Sequence, residues 1–462
     1  MKTLIVKGLV VMESRAAPAD ILIENGKISG ILTPGAITEG VDEIVDAQGL
    51  IILPGAIDVH THFTGSHDFP EQELREGTRG AAAHGVTTIV EMPHSLPPAT
   101  TLQSFNAKRR WLAENCSVDY GMWAGLDGRN VHELAALDRA GALAFKAFLC
   151  SGAANGDATD EKGLPRLDDD GLLRAMRELA TFDGLTGVHA ENHDILIGAG
   201  SEMRRAGRHD ARAHALAGPE IAEIEAVGRV LAIAKEAGAR CHIVHVSSAR
   251  AAETIVAAKS QVRASFETCP HYLLLDEEDL VRIGPNARCG PPIRPRPVVD
   301  ALWQVLLRGD IDMIASDHCP YTPAQKQAGE ASIWDAGMGL TGVETLSPMF
   351  FSAAHSDRGL ALTEFARMTA SGPAKAFQLW GKKGAIAPGF DADLVFYDAQ
   401  QSWIVEGATF QGLGKWSAFE GMRCQGKVVR TLIRGVTVYQ DDQMQVDPGF
   451  GQFVTRQAAT GQ

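Results

Sequence analysis

The sequence of 462 residues lacks any concentrated run of basic or acidic side chains. It contains 43 Lys and Arg against 57 Asp and Glu, a formal net charge of −14, and the acidic excess is spread along the chain. Proteins that bind nucleic acid or anionic lipid surfaces concentrate their basic residues in patches or stripes. We therefore expect neither nucleic acid nor a membrane among the partners of this chain.

Paired cysteines and long apolar runs are also missing. The seven cysteines are an odd number and no two are spaced as CxxC, so we expect reduced thiols in a cytoplasmic protein. The apolar start is interrupted by Lys7 and followed by the alternating segment ADILIENGKI, which predicts a strand rather than a signal peptide. No stretch reaches the ~18 consecutive apolar residues of a membrane-spanning helix.

Short strand patterns are present at both ends of the chain. Segments such as TLIVKGLVV near the start and DADLVFYDA and KVVRTLIRGVTVY near the end are separated by turn residues. These patterns predict one small β-sandwich domain assembled from residues 1–52 and 380–440. Residues 441–462 then form a C-terminal extension.

The intervening residues 53–379 alternate between strand-like and helix-like segments, which predicts an α/β fold of the (β/α)8 TIM-barrel type. An open doubly wound sheet is the alternative. Such sheets typically have a glycine-rich, phosphate-binding turn after the first strand, whereas this chain has DVHTHF there. The eight predicted barrel strands are Leu53–His60, Val86–Met92, Val118–Ala124, Ala142–Leu149, Thr186–Ala190, His242–Val246, Ala264–Thr268 and Asp312–Ser316.

Histidines recur where the predicted strands end. His60 and His62 are two residues apart, so their side chains project from the same face of the first strand. His189 and His245 close two later strands, and Asp317 follows the last one. Because the carboxyl ends of all barrel strands meet at one rim, these residues should converge, and their side chains suit a transition metal.

Lys146 lies inside the apolar strand ALAFKAFLC. A buried ammonium without a partner is costly, so this lysine should be paired, deprotonated or chemically modified. One possibility is an ion pair with a carboxylate at the rim such as Glu191. The other is addition of carbon dioxide to the neutral amine, which gives an anionic carbamate that can bridge two metals.

Nine segments in this order resemble the cyclic-amide branch of the amidohydrolase superfamily, which includes allantoinases, dihydropyrimidinases (hydantoinases) and dihydroorotases. They cover the chain from the first β segment to about residue 439: IILPGAIDVHTH, GVTTIVEMP, AFKAF, VHAEN, IVHVSS, ETCPHYLLL, CGPPIR, IASDHCP and GAIAPGFDADLV.

The resemblance implies a binuclear metal centre, with zinc as the expected metal. His60, His62 and Asp317 would hold one ion, and His189 and His245 the other. Lys146, as N6-carboxylysine, would bridge the two ions together with a hydroxide that attacks the substrate carbonyl. Asp317 would also be the catalytic residue, because it can take the proton and return it to the leaving nitrogen. The family further suggests a homotetramer or dimer.

Four positions bear on the substrate. Dihydroorotases follow the HxH pair with an arginine that clamps the substrate carboxylate, whereas this chain has Phe63 and Thr64. Hydantoinases place a tyrosine where this chain has Ser151, and a small hydroxyl residue there resembles allantoinases. Ser95 and Gly290 depart from the usual allantoinase segments and are expected, with Thr64 and Ser151, to contact the substrate.

The expected activity is therefore hydrolysis of a small cyclic amide or ureide, with allantoinase first, dihydropyrimidinase or hydantoinase second and dihydroorotase third. A metal-free assembly protein is the non-enzymatic alternative. Relatives of that kind have lost several of the six metal-binding residues, and this chain retains all of them.

Overall fold

The computed structural model describes residues 2–457 apart from 38, 66–68, 96 and 152–163. The strands in these residues are β1 Lys2–Val11, β2 Ala16–Glu24, β3 Lys27–Leu32, β4 Glu43–Asp46, β5 Ile51–Pro54, β6 Ala56–Thr61, β7 Val86–Glu91, β8 Asp119–Gly125, β9 Ala144–Phe148, β10 Leu185–His189, β11 Arg240–Ile243, β12 Ala264–Thr268, β13 Met313–Ile314, β14 Leu394–Ile404, β15 Arg423–Ile433, β16 Val436–Gln440 and β17 Gln443–Met444.

The α-helices are α1 Pro70–Ala83, α2 Leu102–Asn115, α3 Leu134–Arg139, α4 Asp169–Ala180, α5 His193–Arg205, α6 Ala211–Ala217, α7 Glu220–Ala237, α8 Ala249–Ala258, α9 Pro270–Leu274, α10 Glu277–Ile283, α11 Arg296–Leu307, α12 Pro323–Gln327, α13 Leu346–Phe350, α14 Leu362–Ala366 and α15 Gly372–Ala376. Within the described part of the chain, none of the helices combines the length and the apolar character that a bilayer crossing requires.

Strands β6 to β13 form one sheet in chain order, and each neighbouring pair is parallel. The sheet nearly closes between its first and last strands. A bridge joins Thr61 to His318, and the His62 backbone N–H donates to the His318 carbonyl at 2.7 Å. The predicted TIM-type barrel is thus confirmed.

Three predicted strands differ most from those observed. The predicted strand His242–Val246 is observed as β11, Arg240–Ile243, so His245 follows the strand. The segment Leu53–His60 is interrupted at Gly55, where the chain leaves the terminal sheet as β5 and enters the barrel as β6. A Cβ at Gly55 would lie 2.1 Å from the Thr87 hydroxyl oxygen, so only glycine allows this close passage. The segment Asp312–Ser316 is reduced to the two-residue strand β13.

The strands from both termini form a second, mixed sheet of nine strands in which β5 pairs antiparallel with β14. Its apolar side chains, among them Ile21, Ile52 and Phe396, form a cluster separate from the barrel core. The chain beyond β17 returns to the barrel, where the backbone of Tyr120 on β8 exchanges hydrogen bonds with Gln452 and Val454. The C-terminal segment therefore fastens onto the barrel.

Buried charges connect the terminal sheet to the barrel. The ammonium of Lys383, 1% exposed, lies 2.6 Å from Asp119 of β8 and 2.5 Å from Asp393, the residue before β14. Arg434 also pairs with Asp119. Because each carboxylate has a cationic partner, the burial of these charges is compensated.

A tryptophan fills the barrel interior beneath the rim. The Trp123 indole N–H donates to the Val59 carbonyl at 2.8 Å, and its ring occupies the space that a side chain at position 187 would need. A Cβ built on Gly187 would lie 2.2 Å from the Trp123 ring. Trp123 belongs to a buried apolar cluster with residues of several barrel strands, among them Val59 and Val90.

Candidate active site

A cavity of about 280 Å³ opens at the carboxyl ends of the barrel strands. This is near the lower end of the ~300–1,000 Å³ range of small-molecule sites. It fits one small ring with a short substituent. All six residues of the predicted metal set line it: His60, His62, Lys146, His189, His245 and Asp317. The structure thus brings together residues that are up to 257 positions apart in the sequence.

Three of these side chains converge most closely. The His60 and His62 Nε2 atoms are 3.2 Å apart, and they lie 3.1 Å and 3.3 Å from Asp317 Oδ1. Two nitrogens bound to one zinc ion at ~2.0–2.1 Å are about 3.3–3.4 Å apart in tetrahedral geometry. The arrangement of His60, His62 and Asp317 therefore matches a single cation site.

The other two histidines lie beside this group. The rings of His189 and His245 are 4.5 Å apart, and the His245 ring is 5.3 Å from that of His60. The His245 Nδ1 atom is buried without a hydrogen-bond partner among the described residues. A buried nitrogen without a hydrogen-bond partner is unfavourable unless it binds a ligand. The His245 ring therefore fits a bound metal ion.

Two of the six residues have strained backbones. His245 has φ of 41° and Asp317 has φ of 49°, in the left-handed region that non-glycine residues rarely adopt. Such conformations cost about 1–3 kcal/mol each and persist where the surrounding structure enforces them, commonly at functional sites. Both residues follow a barrel strand and line the cavity.

Burial and neighbouring cations tune the histidines. Burial, reinforced by the neighbouring His60 and Lys146, holds the pKa of His62 well below 6.5, which favours the neutral form that binds metals. Burial opposes protonation of His189 as well, but the neighbouring Cys150 and Glu191 outweigh it and raise the His189 pKa to about 10. A cation bound at His189 would therefore release a proton.

Glu267, on β12, contacts three residues of the candidate site and is not singled out by the sequence patterns. Its carboxylate bonds His60 Nδ1, lies 3.0 Å from His242 Nε2 and accepts the His245 backbone N–H at 3.2 Å. Despite complete burial, these partners hold the Glu267 pKa below its usual range. Glu267 thus directs His60 Nε2 towards Asp317, as outer carboxylates commonly do for metal-binding histidines. The signal was a lone acid in a buried strand, the same anomaly that marked Lys146.

Lys146 is 1% exposed, and its Nζ lies 4.8 Å from the centre of the Phe148 ring. No carboxylate of the described residues lies within ion-pair distance of this Nζ. The suggested partner Glu191 instead bonds His189 Nε2 at 2.7 Å. Burial lowers the Lys146 pKa to about 8, although Asp317 and Glu267 act in the opposite direction. A larger neutral fraction of the amine follows, and carbamate formation requires the neutral amine.

The four predicted substrate contacts divide into two pairs. Ser151 and Gly290 line the cavity, and the Ser151 hydroxyl is buried without a hydrogen-bond partner among the described residues. Thr64 and Ser95 are not among the described lining residues. The Thr64 hydroxyl lies 2.8 Å from both Glu91 and the His94 carbonyl, and the Ser95 hydroxyl donates to the Pro97 carbonyl at 2.8 Å. Part of the divergent segment after Thr64, residues 66–68, lies outside the described residues.

Two arginines that the sequence reasoning did not consider also line the cavity, Arg204 of α5 and Arg288 before Gly290. The absence of an arginine at position 64 therefore does not leave the cavity without guanidinium groups.

Residues 51–438 match the model of the amidohydrolase family. The chain is 36% identical to an allantoinase of Solibacter usitatus, across 98% of this chain and 96% of that protein. It is 33% identical to an L-hydantoinase of Paenarthrobacter aurescens, across 95% and 94% of the two chains. The solved structure of the L-hydantoinase (dihydropyrimidinase) from Arthrobacter aurescens superposes with a TM-score of 0.94 at 32% identity, covering 98% of this chain and 99% of that one. With the barrel, the cavity and these likenesses in agreement, the chain belongs to the amidohydrolase family.

Proposed function

We propose that this chain is a metal-dependent hydrolase that opens the ring of a cyclic amide or ureide, with allantoin, converted to allantoate, as the first candidate substrate. The observation that carries the proposal is the convergence of four histidines, Asp317 and the buried Lys146 on one cavity. The likeness to allantoinases over nearly the whole chain supports the choice of substrate.

Six residues would hold two divalent metal ions, for which zinc is the proposed identity. His60, His62 and Asp317 would bind one ion and His189 and His245 the other, while Lys146, carboxylated by carbon dioxide, would bridge them. When bound, such ions lower the pKa of water and polarise a carbonyl group. The 3.1–3.3 Å spacing of the His60, His62 and Asp317 atoms and the unsatisfied His245 nitrogen support this assignment.

The side chains of this protein would then move one proton and orient the ring. Hydrolysis adds hydroxyl to the ring carbonyl carbon, breaks the C–N bond and places a proton on the nitrogen. Asp317 would accept the proton of the attacking water and deliver it to that nitrogen, a role typically worth ~10²–10⁴-fold in rate. The buried Ser151 hydroxyl would donate to the carbonyl oxygen as negative charge develops on it.

Hydrolysis of hydantoins is the second candidate function. It is supported by the close superposition on an L-hydantoinase and by the cavity volume, which accepts a single five-membered ring. Dihydroorotate ranks third because the arginine of its usual carboxylate clamp is replaced by Thr64.

Metal analysis and a turnover panel test the proposal. Protein purified without chelator should contain about two equivalents of metal, as binuclear hydrolases do. It should open allantoin or simple hydantoins at least ~10²-fold more efficiently than dihydroorotate. Absence of both metal and turnover would favour the assembly-protein alternative. Efficient turnover of dihydroorotate alone would overturn the substrate while leaving the metal assignment standing.

Three broader features are proposed alongside the activity. The unpaired, mostly buried cysteines favour a reducing, cytoplasmic location, and the family resemblance favours a homotetramer or dimer. The division into a terminal β domain (1–52 and 380–440), a barrel (53–379) and an extension (441–462) is the proposed domain organisation.

A further inference from the structure

A thiol, an imidazole and a carboxylate meet in one part of the cavity wall. Cys150, His189 and Glu191 all line the cavity, and their sulfur, nitrogen and oxygen ligand atoms lie within 4.8 Å of one another. All three residues are buried. We call these three residues the thiol cluster. His189 also belongs to the proposed metal set, whereas Cys150 and Glu191 have no part in the proposed reaction.

The register of two neighbouring strands explains why these side chains meet. Phe148 of β9 is paired with His189 of β10 in a parallel ladder, and the Leu149 backbone N–H donates to the His189 carbonyl at 3.2 Å. Continued by two residues, the same register brings Cys150 next to Glu191. Side chains two positions apart on an extended chain lie on the same face, so His189 and Glu191 project together. The backbone therefore fixes the spacing of the thiol cluster.

One carboxylate oxygen of the thiol cluster has no partner. Glu191 is 4% exposed, and its Oε2 lies 2.7 Å from His189 Nε2. Its Oε1 is buried without a hydrogen-bond partner among the residues that the structure describes. A Cβ built on Gly218, which also lines the cavity, would lie 3.8 Å from this oxygen, so Oε1 faces a part of the wall that carries no side chain. A buried carboxylate oxygen without a donor is costly, and a bound cation would satisfy it.

The three ligand atoms indicate the class of ion. Sulfur together with imidazole nitrogen and carboxylate oxygen suits zinc and the softer cadmium ion, whereas magnesium, calcium and manganese prefer oxygen ligands. Such ligands of one zinc ion lie about 3.3–3.6 Å apart, because the bonds are ~2.0–2.3 Å long. The atoms of the thiol cluster, within 4.8 Å of one another, therefore need to approach by at most about 1.5 Å, which side-chain rotation allows.

We propose that Cys150, His189 and Glu191 form a binding site for an additional zinc or cadmium ion. The thiol loses its proton to solvent on binding, and the charges of the thiolate and the carboxylate then balance the divalent ion. Because His189 serves both sets, an ion in the thiol cluster removes a ligand from the ion proposed at His189 and His245. Excess zinc or cadmium should therefore inhibit turnover. This inhibition rests on the proposed function, whereas the binding does not.

Cadmium titration of the zinc-loaded enzyme tests this site. Cadmium bound to a thiolate has a charge-transfer band in the ultraviolet that nitrogen and oxygen ligands alone do not produce. The six residues of the proposed metal set contain no sulfur, so exchange of cadmium into that set leaves the band absent. We expect the band to appear and saturate as cadmium is added. Turnover of allantoin or hydantoin should fall with the same midpoint concentration.

A second thiol in the same cavity provides the control. Cys319 also lines the cavity and is more exposed than Cys150. Cys150→Ser and Cys150→Ala should abolish the band and raise the inhibiting cadmium concentration by at least ~10-fold, whereas Cys319→Ser should change neither. Glu191→Gln keeps the size of the side chain but not its charge. It should retain the band and weaken cadmium binding by about 10-fold.

The outcomes that would overturn the site are distinct. The proposal is wrong if the wild-type protein gives no band, or if the band survives in Cys150→Ser. Loss of the band in Cys319→Ser as well would place the ion between the two thiols and would also overturn it. If thermal unfolding shows that both Cys150 variants are misfolded, Glu191→Gln decides, because a cadmium affinity equal to that of wild type contradicts the site.

Failure of the site and failure of the proposed function are distinguishable. Full turnover at cadmium concentrations that saturate the band would contradict the inhibition and the sharing of His189. If the protein opens none of the rings and holds no metal after purification, the proposed function fails. The absorption titration still decides in that case whether Cys150 and Glu191 bind the ion.

Discussion

Two parts of the cavity wall, which we call its inner and outer ends, are built from different structural elements. At the inner end, His60, Lys146 and His189 lie on the barrel strands β6, β9 and β10, which neighbouring strands hold by backbone hydrogen bonds. The outer end is the part of the wall that contains Arg204 of α5 and Trp334 of a connecting segment, which pack through side chains. The inner end is therefore the more rigid platform.

This difference separates chemistry from specificity. Residues on strands keep their relative positions when loops change, so one constellation can serve a whole family of reactions. Residues on helices and connections can be replaced without disturbing the barrel. We therefore expect substitutions at the inner end to affect all substrates equally and substitutions at the outer end to change the ranking of substrates.

The largest expected effect comes from removing Lys146. Lys146→Ala should lose metal and activity together, because the proposed bridge between the two ions disappears, and short carboxylic acids with added metal should partly restore turnover. Metal content and kcat are the measurements.

Lys108→Met is the matched control, since Lys108 is also a fully buried lysine but lies 3.6 Å from Glu91 and donates to backbone carbonyls. It should lower thermal stability while metal per folded chain stays constant. A structure of metal-loaded wild type with an unmodified Lys146 ammonium would contradict the bridge.

Asp317→Asn should have the next largest effect. The amide keeps an oxygen near His60 and His62 but cannot accept a proton, so turnover should fall by ~10²-fold or more while much of the metal is retained. The reduction in turnover should be the same for every substrate in the panel. That result would indicate that Asp317 acts in the reaction step that all substrates share. Activity within a few-fold of wild type would mean that another residue moves the proton.

Ser151→Ala should have a smaller effect at the boundary between the two ends. Loss of one hydrogen bond to the developing oxyanion should lower kcat by roughly tenfold with little change in KM. Equal reductions for allantoin and simple hydantoins would assign Ser151 to the inner end. A change in the ranking of substrates would assign it to the outer end instead.

The smallest effect concerns the pH dependence of stability at His214, which also lines the cavity. The folded-state pKa of His214 is about 3, below its unfolded value near 6.5, because burial disfavours the charged ring. Below pH 6.5 the unfolded chain binds a proton that the folded chain does not, so this histidine lowers stability by up to ~1.4 kcal/mol per pH unit. When the pH is lowered from 7.5 to 5, the free energy of unfolding of His214→Asn should therefore fall by about 2 kcal/mol less than that of wild type. Urea unfolding at the two pH values measures the difference, and equal losses would show that His214 is protonated in the folded protein.

Much of the fold and of the inner end of the cavity could be predicted, because short segments of the sequence indicate both. Strand-like runs that end in histidine, such as the one at His60, combine a periodic signal with an unusual residue type. Lys146 was identified because a charge in an apolar strand needs an explanation. Glu267 carries the same signal and could have been found by applying the same argument to ASFET.

The outer end could not be predicted, because no local pattern encodes it. Arg204 has the spacing of an ordinary helix-surface residue, and only the fold brings Trp334, 130 positions later, against it. The predicted contacts Thr64 and Ser95 lie beside the metal-set strands in the sequence, yet their hydroxyls are engaged in hydrogen bonds with Glu91 and the backbone. Proximity in sequence to a motif does not decide which side chains face a cavity.

The pairing of β5 with β14 has a consequence for synthesis on the ribosome. Pro54 of β5 is paired with Leu394 of β14. The ribosome therefore has to add 340 further residues after β5 before this partner strand begins to be synthesised. At ~5–20 residues per second this delay lasts roughly 20–70 s, during which the edge of β5 is open to other chains. The barrel can close in that interval, whereas the terminal sheet is completed last. Nascent-chain binding of a chaperone should therefore persist on the first 54 residues until β14 has emerged.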